Sequence, residues 1–309
     1  MRNLHGRAQK LTRWTVILAV MFMSRRHFLK LVLGLGVLSP AYAFGIEPSV
    51  RLAVATHRVQ PPLWPRGVRL RIAAISDPHL CEPWMPLDRL KAIVARANRL
   101  SADMIVLLGD YRASHPFVVR HVPIDAIARV LSGLRAPLGV HAVLGNHDWW
   151  DDPVARRRGA GPTETHRAFA AAGLAVLENR ALRITGGPAP FWLLGLGDQL
   201  AFFRRGVDDL NGTLAQVSGS EPAILLAHEP DIFPRVPDRI ALTLSGHTHG
   251  GQVRLFGYSP IVPSRFGNRY AYGHVREGRR DLVVSGGLGC SNLPVRFGMP
   301  PEITVIELS

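Results

Sequence analysis

Five apolar, strand-like segments of this chain each run straight into a short polar motif, and that repeated junction constrains the fold most. Ile72-Ala-Ala-Ile-Ser76 stops at Asp77-Pro-His79, Met104 to Leu108 at Gly109-Asp110, and Ala142-Val-Leu144 at Gly145-Asn146-His147-Asp148. Farther on, Ile224-Leu-Leu-Ala227 leads into His228-Glu-Pro, and Leu242-Thr-Leu244 into Ser245-Gly246-His247-Thr248-His249-Gly250-Gly251. Ligand sites of α/β sheets lie beyond the carboxyl ends of strands, so such ends can converge on one site. The pairs Asp77/His79 and His247/His249 alternate, so from an extended segment each pair projects the same way. Glycines beside them let the backbone turn sharply and come close to an ion or a phosphate.

The surrounding pattern places these junctions in an α/β chain. Alternation at 68–75, apolar runs at 104–108 and 140–144, and helical spacing at 87–100, 124–134 and 163–172 predict strands joined by crossover helices. Beyond residue 174 strands dominate, at 175–177, 181–184, 191–196, 223–226, 240–244, 252–255, 281–284 and 303–308. This reads as two α/β halves around stacked sheets, without internal repeats. Residues 44–68 hold four prolines and no clear period, which predicts a linker or surface arm before a domain at 69–309.

Residues 1–43 read as a signal peptide. Ser24-Arg-Arg-His-Phe-Leu-Lys30 precedes the apolar run Leu31 to Leu38, then Pro40 and Ala41-Tyr42-Ala43, a small-x-small cleavage signal. Spanning a bilayer takes about 20 apolar residues, so this run is too short to do so alone. The Arg25-Arg26 pair resembles a twin-arginine export signal, with a general secretory signal or an uncleaved anchor as alternatives. A second apolar stretch, Trp14 to Met23, lies upstream, and a start at Met23 would remove it. The expected partner is therefore the twin-arginine export machinery, and the expected address the periplasm or the outer face of the inner membrane.

Charge narrows the partners. The chain of 309 residues carries +14, but seven basic residues and no acid precede residue 44. The remainder has thirty basic against twenty-three acidic residues, a balance of +7 carried almost wholly by scattered Arg. No basic run appears, and no nucleic acid is expected. Attraction to phosphate-bearing or membrane-surface substrates fits that balance. Two cysteines, Cys81 and Cys290, cannot form a disulfide framework or a zinc finger. They read as free thiols, a single bridge staying open in an oxidising compartment. A serine-hydrolase elbow and a P-loop are absent from the sequence.

Taken together, the motifs resemble those of the calcineurin-like metallophosphoesterases over roughly Leu70 to Leu308. The closing stretch Val284-Ser-Gly-Gly-Leu-Gly-Cys-Ser-Asn-Leu-Pro-Val-Arg-Phe297, with Pro300-Pro-Glu-Ile303, resembles the exported or membrane-associated bacterial phosphodiesterases related to UDP-2,3-diacylglucosamine pyrophosphatases. The resemblance implies an α/β (α+β) fold, a four-layer αββα sandwich of two mixed β-sheets flanked by helices. It implies two divalent metal ions, Mn, Fe or Zn, and no organic cofactor. Asp77, His79 and His249 would hold one ion, Asn146, His228 and His247 the other, and Asp110 would bridge them. A carboxylate suits that task, because its two oxygens can hold cations roughly 3.5–4 Å apart. The implied reaction is hydrolysis of a phosphodiester or pyrophosphate, lipid-linked or nucleotide-linked, by hydroxide held between the metals. His147, beside a ligand but not itself one, would protonate the leaving group, with Asp110 and Asn146 completing the catalytic set. The alternatives are a phosphomonoesterase of the same fold and a non-catalytic metal-binding scaffold.

Other positions leave the reading open. Related enzymes often carry a further acid after the residue matching Asp110, where this chain has Tyr111-Arg112-Ala-Ser; Arg112 is a phosphate clamp or a surface arginine. Asp148 orients a histidine or caps the next segment, and His121 and His141 are assigned to structure. Trp84, Met85, Trp149 and Trp150 form substrate walls or core, and Phe202-Phe203-Arg204-Arg205 is a candidate for peripheral membrane contact.

Overall fold

The computed structural model describes residues 39–203 and 205–309. The signal-peptide reading, including Arg25-Arg26, falls almost wholly outside the described residues, as does Arg204; residues 39–43 are helical. Residues 44–309 form one compact unit. No described helix is long and apolar enough to cross a membrane.

Two mixed sheets of six strands carry the unit. The first runs in the order β1 (Ala53–Val59), β14 (Glu302–Leu308), β2 (Leu70–Ile75), β4 (Met104–Leu107), β6 (Val140–Ala142) and β7 (Ala175–Val176). Its neighbours β2, β4, β6 and β7 are parallel, while β14 and β2 are antiparallel. The second runs β12 (Gly273–Glu277), β13 (Arg280–Val284), β11 (Ile240–Ser245), β10 (Ala223–Leu226), β9 (Phe191–Gly195) and β8 (Arg180–Ile184), parallel from β13 through β9. A two-stranded ribbon, β3 (Cys81–Glu82) with β5 (Arg120–His121), lies apart from both.

Strand periodicity explains why both sheets are built from apolar runs. Ile72 and Ala74 of β2 pack between the sheets with Val106, Leu193, Leu226 and Leu244. Their neighbours Ala73 and Ile75 face the other way, onto Leu90, Ile127 and Phe169 of the helices Leu87–Asn98, Ile124–Leu131 and Glu164–Ala171. On the second sheet, Leu225 and Leu282 turn outward against Ile232 and Phe233. A strand buried on both faces reads as a continuous apolar run. The layers are therefore helix, sheet, sheet and helix, as the resemblance implied.

Two local expectations are corrected. Within 44–68, read as a linker or arm, residues 53–59 form β1, paired in parallel along its whole length with β14. Its side chains are mostly half-buried or exposed, as expected of an edge strand, so it lacks the apolar signature of a central one. The strand expected at Gln252–Leu255 does not form. A 3₁₀ turn, His249–Gly251, precedes isolated bridges at Val253 and Leu255, because Gln252 takes a positive φ of 58° that breaks extension. Cys81 and Cys290 are both free and buried.

Candidate metal centre

Three parallel strands of one sheet (β2, β4, β6) and two of the other (β10, β11) end at the same place. Their exits carry all eight residues singled out above, and the structure brings these together at the seam between the sheets. Asp77, His79, Asp110, Asn146, His228 and His249 are buried; His147 and His247 are half-buried. Three groupings have ligand atoms within 4.8 Å of one another: Asp77, His79 and His249; Asp110, His228 and His247; and His79, Asp110 and His147.

The local backbone departs from the extended geometry expected of the alternating pairs. Asp77, His79, Asp110, His247 and His249 all have positive φ, between 42° and 67°. Non-glycine residues rarely adopt that region, and such strain collects where function requires it. The loops after β2, β4 and β11 are thus tight bends, and glycines allow neighbouring loops to touch. A Cβ on Gly246 would collide with Ser76 Oγ and Asp77 Oδ2, and one on Gly109 with the backbone of Gly145.

Hydrogen bonds divide the donor atoms sharply. His147 N donates to Asp110 Oδ1 at 2.8 Å. That leaves Oδ2 facing two imidazoles, 3.2 Å from His228 Nε2 and 3.5 Å from His79 Nε2. His228 Nδ1 donates to Leu108 O at 2.6 Å and His79 Nδ1 to Arg112 O at 3.0 Å. A carbonyl oxygen only accepts, so Nδ1 carries a proton in both rings, and Nε2 is the nitrogen whose lone pair binds an ion once it is unprotonated. Such second-shell bonds orient metal-binding histidines. His79 Nε2 lies 3.2 Å from His249 Nε2, which is itself 3.6 Å from Asp77 Oδ1. On the other side, His247 Nδ1 and Asn146 Oδ1 are 2.9 Å apart.

Burial and charge set the protonation states. Burial pushes Asp77 up to about 6 and His79 down to about 3. Asp110, although buried, is held well below the usual carboxylate range by His228 and His147. Burial, then His79 and Arg296, lower His249; burial and His228 lower His247. His228 is raised well above its ordinary value, because Asp110 outweighs its burial.

The donor set fits divalent cations. His228 Nε2 is fully buried yet makes no hydrogen bond, despite its closeness to Asp110. Buried polar atoms are rarely left so, and an ion among these atoms would satisfy it. Two carboxylates, neutral imidazoles and an amide oxygen are the N/O ligands that borderline divalent metals take.

His147 stands at the rim. Its Nδ1 is 3.0 Å from Ser114 Oγ and 3.6 Å from Asp151 Oδ2, and its ring sits 4.9 Å from that of His79. Its pKa is raised: burial opposes this, but Asp110 and Asp151 prevail.

Sequence reasoning left Asp148 between orienting a histidine and capping the next segment, and gave Arg296 no role. The Asp148 carboxylate accepts from Asp110 N and Gly145 N, both at 2.9 Å, and so ties the β4 exit to the β6 exit. Arg296, fully buried, donates to the carbonyls of Gly286, Gly289 and Met299 and to His249 Nδ1 at 3.2 Å. An arginine in the apolar closing stretch was the available signal, but its distance in sequence from His249 hid the contact.

The remaining positions separate clearly. Arg112 pairs with Glu164 at 2.9 Å and His141 bonds Leu138 O, while His121 is exposed on β5. Trp149 and Met85 are core, and Trp84 donates to Phe44 O. Trp150 alone of the four lines a cleft beside the centre, stacked on Phe203 at 4.7 Å and 5.2 Å from the His147 ring. Phe202 packs on Trp149, which leaves Phe203 as the exposed apolar residue of that segment.

Comparison with known proteins follows the same outline. The family model described as calcineurin-like phosphoesterase matches residues 70–251. The metallophosphoesterase YkuE of Bacillus subtilis is 33% identical over 297 residues, 93% of this chain and 98% of its own length. A metallophosphoesterase of Aquifex aeolicus is 28% identical over 83% of this chain and 92% of its own. The phosphodiesterase YaeI of Escherichia coli is 31% identical over 77% of this chain and 82% of its own.

Proposed function

Since the chain belongs to the calcineurin-like phosphoesterase family, and so hydrolyses phosphoric esters with bound divalent metal, we propose that it is a two-metal phosphodiesterase or pyrophosphatase. The observation that carries this reading is Asp110, whose Oδ2 stands between His79 Nε2 and His228 Nε2. Asp77, His79 and His249 would hold one ion, Asn146, His228 and His247 the other, and Asp110 would be shared. When bound, the ions supply Lewis acidity to water and neutralise charge on the phosphoryl oxygens.

The chain's own groups do the rest. Asp148 fixes the Asp110 backbone, the His147 amide fixes the Asp110 carboxylate, and the carbonyls of Leu108 and Arg112 fix two imidazoles. His147 donates a proton to the departing oxygen. Its Nδ1 is engaged by Ser114 and Asp151, so Nε2 is the acidic nitrogen, and the nearby Asp110 and Asp151 raise its pKa, which favours the protonated form. That the Escherichia coli relative is a phosphodiesterase supports diesters over monoesters for this chain.

Purified full-length protein loaded with manganese is expected to hydrolyse bis-p-nitrophenyl phosphate faster than p-nitrophenyl phosphate. His147→Ala should lower kcat on a diester with a poor leaving group by roughly 100-fold or more, with metal content unchanged. Equal loss on good and poor leaving groups would remove the acid role; preference for the monoester would make the protein a phosphomonoesterase. Export on the Arg25-Arg26 signal, placing the enzyme at the periplasmic face, belongs to the same proposal. Arg25→Lys with Arg26→Lys should then retain the protein in the cytoplasm.

A further inference from the structure

A second cavity, of about 310 Å³, opens directly beside the metal centre, with Thr248 and His249 in its wall. The rest of that wall is largely aliphatic: Val253, Pro260, Ile261, Pro263, Leu293 and Val295. Of its polar members, Gln252, Thr248 and His249 are already occupied, and Ser291 and Asn292 complete the polar lining. The Gln252 amide donates to Leu293 O and Val295 O and accepts from Ser291 N, so it ties the two walls together. Thr248 Oγ1 donates to Ala271 O at 2.7 Å, and His249 Nδ1 accepts from Arg296. The aliphatic majority of the wall selects for hydrocarbon.

Between the walls at Val253 and Pro260 projects a closed two-residue turn. Leu255 and Tyr258 exchange backbone hydrogen bonds at 2.9 Å, and Phe256 and Gly257 have φ of 52° and 84°. Asparagine or glycine usually takes the first of those places; a phenylalanine there is strained. That Phe256 is fully exposed, and Leu255, Tyr258, Ile261 and Leu293 around it are exposed as well. The base of the turn is nevertheless pinned. Buried Ser259 donates from Oγ to Gly250 O and from N to Asn268 Oδ1, and Asn268 donates back to Ser259 O. A contiguous apolar patch held rigidly in water marks a binding surface.

From these observations we infer that the cavity takes the aliphatic chain of a lipid phosphoester, and that the Leu255–Tyr258 turn seats in the membrane from which that lipid comes. The inference rests on the reading of the neighbouring centre as a phosphodiesterase. Because the cavity wall includes His249, its occupant lies within reach of a phosphoryl group at the metals, as one part of a single substrate. The balance of +7 over residues 44–309 favours approach of the protein as a whole to anionic headgroups. The turn supplies the apolar anchor, and the cavity supplies a path for one chain from bilayer to phosphorus.

Binding is read first without catalysis, by the fluorescence of 11-(dansylamino)undecanoic acid on metal-loaded full-length protein. Wild type is expected to bind and hexadecyl phosphate to displace it. Leu293→Asp should weaken binding about ten- to hundredfold, the effect of losing one well-buried aliphatic contact. Leu293→Trp, which fills the cavity without adding charge, should do the same if the aspartate variant misfolds. Phe256→Ser should lower the fraction that sediments with phosphatidylcholine–phosphatidylglycerol vesicles while keeping probe binding. Turnover of hexadecyl p-nitrophenyl phosphate should exceed that of the ethyl ester in wild type, and Leu293→Trp should bring the ratio to about one. Absent probe binding, or equal rates for both esters, overturns the inference while leaving bis-p-nitrophenyl phosphate hydrolysis, and hence the proposed function, intact. No hydrolysis of any ester alongside tight probe binding overturns the proposed function instead. A dimer abolished by Phe256→Ser, without vesicle binding, would assign the patch to a second copy of the chain and overturn the inference.

Discussion

At the scale of single residues, Asp110 does two jobs with two oxygens. Oδ1 is spent on the His147 amide, and Oδ2 faces the imidazoles of His79 and His228. Asp110→Asn keeps the first contact and loses the charge needed for the second. It is expected to retain less than the full metal complement by elemental analysis and to lose activity by roughly 100-fold or more. Protonation belongs to this scale too. Asp77, raised to about 6 by burial, is protonated below that value, so a metal ion must displace its proton there. Manganese affinity of the stripped protein should therefore fall as pH drops through about 6. Calorimetry in buffers of different ionisation enthalpy checks this, and a flat affinity from pH 5 to 7 would count against it. His228, raised well above its ordinary value, also gives up a proton when metal enters, so uptake releases protons into the buffer.

Elements turn these residues into a site. The loops that leave β2, β4 and β11 turn through left-handed residues, and neighbouring loops touch where only glycine fits. Gly246→Ala would push into Ser76 and Asp77; it should lower stability by roughly 1–3 kcal/mol in thermal unfolding and reduce metal affinity. Asp148→Ala removes the carboxylate that joins two strand exits, an expected loss of roughly 2–4 kcal/mol. If Asp148→Ala unfolds like wild type, the tie between those exits carries no stability. The strands that end in ligands were legible because both of their faces are buried, which leaves an unbroken apolar run before each polar motif. β1 was not legible: it is an edge strand, and its pairing with β14 joins residues 249 positions apart. The Gln252–Leu255 error has the opposite cause. That segment has strand-like composition, but its first residue is turned by the bonds its side chain makes to the 291–295 segment.

For the whole molecule, the centre lies where two sheets meet, so its ligands come from both and metal binding ties the sheets together. Anything that binds only the folded state stabilises it by mass action, about 4 kcal/mol at a thousandfold excess over Kd. Stripping the protein with EDTA should accordingly lower Tm by on the order of 10 °C. An unchanged Tm after verified metal removal would mean that the ions contribute nothing to holding the sheets. The four-layer αββα order was implied by the family resemblance. The sequence by itself determined two α/β halves around stacked sheets, the strand ends and the identity of the eight residues at the centre. Those depend on local pattern, since apolar periodicity reports burial and glycine reports a forced turn. Only the tertiary structure decided how Asp110 divides its oxygens, that Asp148 and Arg296 brace the site, and that an aliphatic cavity opens beside His249. Each of these arises from contacts between segments far apart in the chain, which a local pattern does not encode.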